Sequence, residues 1–169
     1  MATNAIFNIN SIDAGDLTTS SATMKYPVGA ALVIKEAGKA QPSGFIYVKA
    51  HAGFATVGTP FEITAGSGGN AEVVTKAVAT LAHGALIGFN THVVTSGEYF
   101  WAQISGELTA ASKAGVTAGD FVKVDNTEVD VETDGTTLTV NSIGIAKTST
   151  ASSAVTLAIV PNRTVTISA

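Results

Sequence analysis

The chain has no cysteine. That excludes disulfide staples, thiolate metal sites and cysteine nucleophiles. Charge is also scarce: Asp, Glu, Lys and Arg make up 13% of the 169 residues, about half the usual ~25%. Arg163 is the sole arginine and the net charge is −4. This balance argues against a protein that wraps nucleic acid. No apolar run approaches the roughly 20 residues that cross a bilayer as a helix, so no membrane partner is expected. Met1 to Ile6 carries neither a basic stretch nor an apolar core of signal-peptide type, so no secretory signal is expected there. Without that route, the glycosylation sequon at Asn162-Arg163-Thr164 has no meaning.

What fills the places of charge is Thr, Ser, Ala and Gly. A surface with so little charge is poorly protected against association. Either copies of the chain or a partner cover much of it, or the chain is a monomer with a Thr/Ser surface. The length fits one domain with an appended arm.

The arm is expected over residues 1–25, which are rich in Asn, Ser, Thr and Asp. Phe7, Ile9 and Ile12 are its candidate anchors on a surface; the alternative is a frayed terminus. The body is expected over residues 26–169. Val28 to Ile34 alternates between two mostly apolar sets, which predicts a strand covered on both faces. Phe45 to Ala50 is a second strand, joined to the first as a hairpin with a long loop. Gly53 to Ile63 reads as strand and turn, and Gly66 to Asn70 as a flexible loop. Ala71 to His83 carries both a helical face and a run of β-branched residues, with strand slightly favoured. Ala85 to Phe89 is a strand.

Gly97 to Gly106 holds the only Trp and three consecutive aromatics. It predicts a core strand with turns at both glycines. Tyr99, Trp101, Gln103 and Ser105 form one face; Phe100, Ala102 and Ile104 form the other. Phe121 to Asp125 is a short strand. Asp134-Gly135 is a two-residue hairpin signal that would pair Val131 with Leu138 and Val129 with Val140. On the opposite face it would leave Asp130 and Glu132 in water. Ile143 with Ile145, Val155 to Ile159, and Val165 with Ile167 complete the strands. The expected fold is mainly β: a small β-sandwich or β-barrel of short antiparallel strands with an extended N-terminal arm.

Candidate chemistry is thin. His51, His83 and His92 lack metal-ligand spacing. Ser105 is not in a nucleophile elbow and has no evident base. The Gly66 to Asn70 loop lacks the Lys-Ser/Thr of a phosphate-binding loop. Asp125, Glu128, Asp130, Glu132 and Asp134 have no calcium-loop pattern, and a solvated hairpin face explains them. No enzyme, no metal and no cofactor are expected.

Six stretches occur in a telling order. They are Tyr26-Pro27-Val28-Gly29, Gly44 to Ala50, Ala85 to Phe89, Gly97 to Gly106, and Ala118 to Val122 followed by Ile143 to Ala146. Together they resemble the capsid decoration (cement) proteins of tailed bacteriophages over about residues 26 to 147. The resemblance implies a structural virion protein on the outer surface of the capsid, made in the bacterial host cytoplasm. It implies the major capsid protein and further copies of the chain, as a homotrimer, for partners. It implies capsid stabilisation by bridging neighbouring capsomers; the polar arm suits reaching onto the shell, which makes its anchors Phe7, Ile9 and Ile12 the candidate capsid-binding residues, though the shared motifs themselves carry no contact residue. Two features depart from the family pattern: Phe100 makes the aromatic run unusually dense, and the stretch from Thr148 onward has no counterpart. A second reading is a receptor- or glycan-binding head-fibre or tail-associated module, with Tyr99 and Trp101 stacking on sugars.

Overall fold

Ten strands and a short 3-10 turn, Ala14–Leu17, build the described part of the chain. The computed structural model describes residues 12–65, 71–74, 86–125, 131–137, 139, 142–149 and 154–159. The strands are β1 (Ala31–Ile34), β2 (Ser43–Ala50), β3 (Pro60–Ala65), β4 (Ala71–Val74), β5 (Leu86–Phe89), β6 (Tyr99–Ala111), β7 (Phe121–Val124), β8 (Val131–Gly135), β9 (Gly144–Ala146) and β10 (Ala154–Ile159). Hydrogen bonding runs in the order β1-β2-β4-β3-β5-β6-β10-β9-β7-β8, with a further pairing of β2 to β6.

Strand β6 organises this arrangement. Its first half pairs antiparallel with β2, setting Trp101 opposite Tyr47 and Phe100 opposite Val48. Its second half pairs antiparallel with β10, from Gly106 opposite Ile159 to Ala111 opposite Ala154. Two mainly antiparallel sheets therefore share one long strand, giving a small sandwich-like fold. One pairing, β2 with β4, is parallel. The first sheet curls until β5 meets β6, but among the described residues their ladder is the single pair Phe89 and Gln103. The curl is not a closed barrel.

Period-two alternation on β6 buries both of its faces. Phe100 and Ala102 point into a cluster with Val48, Phe54, Phe61, Ile63 and Val94. Trp101 points to the other side, against Leu32, Phe45 and Tyr47. Beyond Gly106, Leu108 and Ala110 enter a third cluster with Phe89, Val116, Val122, Val131 and Ala146.

Three local expectations are corrected. Gly106 does not end the aromatic strand. With φ +91° it takes a conformation L-residues resist, and there β6 leaves one partner and takes up the other. A side chain at Gly106 would meet Pro42 O and Ser43 Cα at 2.8 Å. The strand of Val28 to Ile34 begins only at Ala31, and it is not covered on both faces. Leu32 is buried, while Val33 is 71% exposed, because among the described residues nothing covers the face of β1 that Ala31 and Val33 share. Asp134-Gly135 does not form a two-residue turn. Both residues belong to β8, which pairs with β7, setting Thr133 opposite Val122 and Gly135 opposite Phe121 across a register shift. A glycine with φ +89° suits that irregularity. Val131 is buried and Glu132 half-buried; Val129, Asp130, Leu138 and Val140 lie outside the described residues.

Other expectations match the structure. The β1–β2 hairpin joins Ile34 opposite Ser43 to Ala31 opposite Ile46. Residues 71–74 are strand, as slightly favoured; the rest of that segment to His83, the Gly66 to Asn70 loop and the Val165–Ile167 strand lie outside the described residues.

Candidate interaction surface

The described part of the arm is a strap over the outer face of β2 and β6. Asp13 starts its 3-10 turn by accepting from Gly15 N at 3.0 Å. Ile12 and Leu17 then pack against the Tyr47–Trp101 cluster. Asp16 accepts from Lys25 Nζ at 2.7 Å and from Tyr26 Oη at 2.5 Å. These two donors hold the Asp16 carboxyl below its ordinary range, and Asp16 in turn pushes the Tyr26 phenol up to about 12. Further along, Ser21 and Tyr99 exchange backbone hydrogen bonds of 3.0 and 2.8 Å. Ser20 Oγ donates to Glu98 at 2.5 Å, and Thr91 Oγ1 donates to Leu17 O at 2.8 Å.

The strap ends in an aromatic knot. The Tyr26 ring lies 5.2 Å from Tyr47, nearly perpendicular, and 5.3 Å from Trp101. Tyr47 and Trp101 are 5.1 Å apart. Trp101 is 1% exposed, so it serves the core and offers no platform for a sugar. Tyr99, half-buried, stacks on Tyr47 at 6.2 Å.

Beside the strap lies a cavity of about 700 Å³, its walls drawn from both sheets and from Ile12 and Leu17. Two buried amides fix its rim. Asn90 donates to Thr56 O and His92 O and accepts from Thr59 N, each at 2.8 Å. Gln103 donates to Ser105 O at 3.0 Å and Glu107 O at 3.2 Å, spanning the irregularity at Gly106. The amide donors of both side chains are committed to holding backbone, as expected of buried polar groups.

Of the candidate anchors, Ile12 is half-buried against the chain's own aromatic cluster; Phe7 and Ile9 lie outside the described residues. His51 is exposed. His92 stands edge-on to Phe100 at 6.0 Å, and burial pushes its imidazole below the ordinary value despite the nearby Glu98 carboxylate. His83 lies outside the described residues. Among the described residues no three His, Asp or Glu side chains come together as a metal site. Asp125 is paired with Lys113. Lys123 lies 3.6 Å from Glu132 and 3.7 Å from Asp134. Among the described residues, Asp125 thus pairs with one lysine while Glu132 and Asp134 share another.

Sequence reading missed Asp16, Leu17, Asn90 and the cavity. Asp16 meets partners 9 and 10 residues away through a chain reversal that no periodicity announces. Asn90 follows the predicted Ala85–Phe89 strand, and its position there was the one available hint. No family model matches the chain, and no curated protein matches it either.

Proposed function

We propose that this chain is a capsid decoration protein: a structural virion component that binds the outer surface of a mature tailed-phage head, as a homotrimer, and bridges neighbouring capsomers of the major capsid protein. The observation that carries the reading is where the resembling stretches fall. Tyr26 packs on Tyr47 and Trp101, β2 pairs with β6, and β5 meets β6. These four stretches thus lie beside one another in the fold, which supports reading them as a set. The low charge adds support, as does an edge strand of apolar residues with Val33 exposed, the kind of edge that natural proteins cover. Ile12 packs partly on the chain's own aromatic cluster. A shell is stabilised by any ligand that binds its expanded form in preference to the unexpanded one, and repeated copies reinforce the effect through multivalency.

The test is cosedimentation of the purified protein with stripped, expanded heads and with unexpanded proheads. Saturable binding to expanded heads is the expected result. Binding to neither would overturn the proposal.

A further inference from the structure

The cavity beside the strap lies where β6 passes from one sheet to the other. The Trp101 cluster gives it Ile12, Leu17, Ile34 and Phe45, and the cluster beyond Gly106 gives it Phe89 and Leu108. Its volume of about 700 Å³ falls within the range of roughly 300–1,000 Å³ that small-molecule sites occupy. Charge is already answered at the wall. Glu36 and Lys39 pair with each other at 2.9 Å, and Lys39 also donates to Glu107 O at 2.9 Å. Among the described residues the lining holds no further lysine or arginine, so an anionic ligand would meet Glu36 without a free cation. One polar group is left over. Gln103 lines the cavity and is 2% exposed. Its amide nitrogen is spent on Ser105 O and Glu107 O, while among the described residues no donor meets its carbonyl oxygen. Asn90, by contrast, also accepts, from Thr59 N.

We infer that this cavity is a binding site for an uncharged amphiphile, whose apolar body lies between the two clusters and whose hydroxyl donates to Gln103 Oε1. The walls set the body: aliphatic and aromatic side chains reward an apolar ligand and nothing ionic. The glutamine sets the head. A buried acceptor without a donor is costly, and a ligand hydroxyl removes that cost. A ligand carboxylate would bring no donor and would bury a second negative charge near Glu36. Because its walls come from both clusters, a bound ligand would tie the two halves of the fold together and stabilise them by mass action. The site is a property of the cavity and does not depend on capsid binding.

The test titrates the full chain with decanol, its methyl ether and decanoate, and follows side-chain methyl resonances by NMR. Decanol should bind saturably and shift the methyls of Leu17, Ile34 and Leu108, leaving Val48 and Val94 of the opposite cluster in place. The ether, which has no donor, should bind several-fold more weakly. Decanoate should bind at least about tenfold more weakly, as expected for burying a charge. Val57 lies on the cavity wall and is 46% exposed, so Val57→Trp can fill the cavity from its rim and should remove decanol binding. The ligand series uses the unaltered protein, so it decides the matter even if that variant fails to fold. No saturable binding of decanol would show that the protein fills the cavity itself, and would overturn the inference. Shifts centred on Val48 and Val94 would overturn it too, as would equal binding of all three compounds or undiminished binding to a folded Val57→Trp. No readout involves phage heads, so failure here is distinct from failure of the decoration proposal.

Discussion

The two halves of β6 solve the same packing problem with different side chains. Before Gly106 the strand is aromatic and buried on both faces, with Phe100 inside the curl of the first sheet and Trp101 under the strap. After Gly106 it carries Leu108 and Ala110 and packs against Phe89 of β5 and small aliphatics from β7, β8 and β9. The aromatic half depends on a covering that comes from far upstream in sequence, since Tyr26 and Leu17 complete the Trp101 cluster. The aliphatic half needs no such cover. The difference teaches that in this molecule the strap is part of the core cluster of one half, while among the described residues it only borders the other across the shared cavity.

The sharpest way to break the comparison is Trp101→Ala. Large aromatic deletions in cores cost about 3–5 kcal/mol, measured here by denaturant unfolding. Amide exchange should show Leu32, Tyr47 and the strap losing protection well before Val122 and Val131. Uniform loss across both halves would mean that the halves are not separable. Leu108→Ala should cost about 2–3 kcal/mol and give the reverse pattern of exchange. Gly106→Ala tests the joint between the halves. Strain at a positive φ costs on the order of 1–3 kcal/mol, and the close approach to Ser43 and Pro42 adds to it; both halves should loosen together.

Acid should affect the aromatic half selectively. His92 is held neutral by burial, so its folded pKa lies below the ordinary 6.5. The unfolded chain binds that proton more readily. The stability it supports is present above pH 6.5 and is lost as pH falls through the lower folded value. Asp16 has the same sign at lower pH: its folded pKa is below 3.8, so the strap weakens only once pH falls below the ordinary carboxylate range. His92→Gln should flatten the first step and Asp16→Asn the second, each read from unfolding midpoints across pH. The smallest effect belongs to the long, half-exposed pairing of Lys123 with Glu132 in the aliphatic half. Lys123→Ala should change stability by about 0–1 kcal/mol, diminishing further in high salt.

The aromatic half was the more legible of the two in sequence. Three adjacent aromatics with strict alternation fix both the strand and its faces, and the β1–β2 hairpin follows from its breakers. The second half misleads for physical reasons. A glycine after Ile104-Ser105 signals a stop when read locally, yet Gly106 lets the strand change partners and continue to Ala111. Asp134-Gly135 signals a tight turn, but pairing with β7 supplies a competing use for the same backbone freedom. Tertiary pairing decides both, and neither partner is near in sequence. The strap was expected as an arm that docks elsewhere. Its described part docks on its own body, because Ile12, Leu17 and Tyr26 meet an aromatic face that local sequence does not place beside them.

Cementing itself is tested most directly by heating stripped, expanded heads with and without saturating protein and following release of packaged DNA. The account predicts release at a distinctly higher temperature when the protein is bound, with half-maximal protection at the concentration that half-saturates the heads. Bound protein that leaves the release temperature unchanged would contradict it.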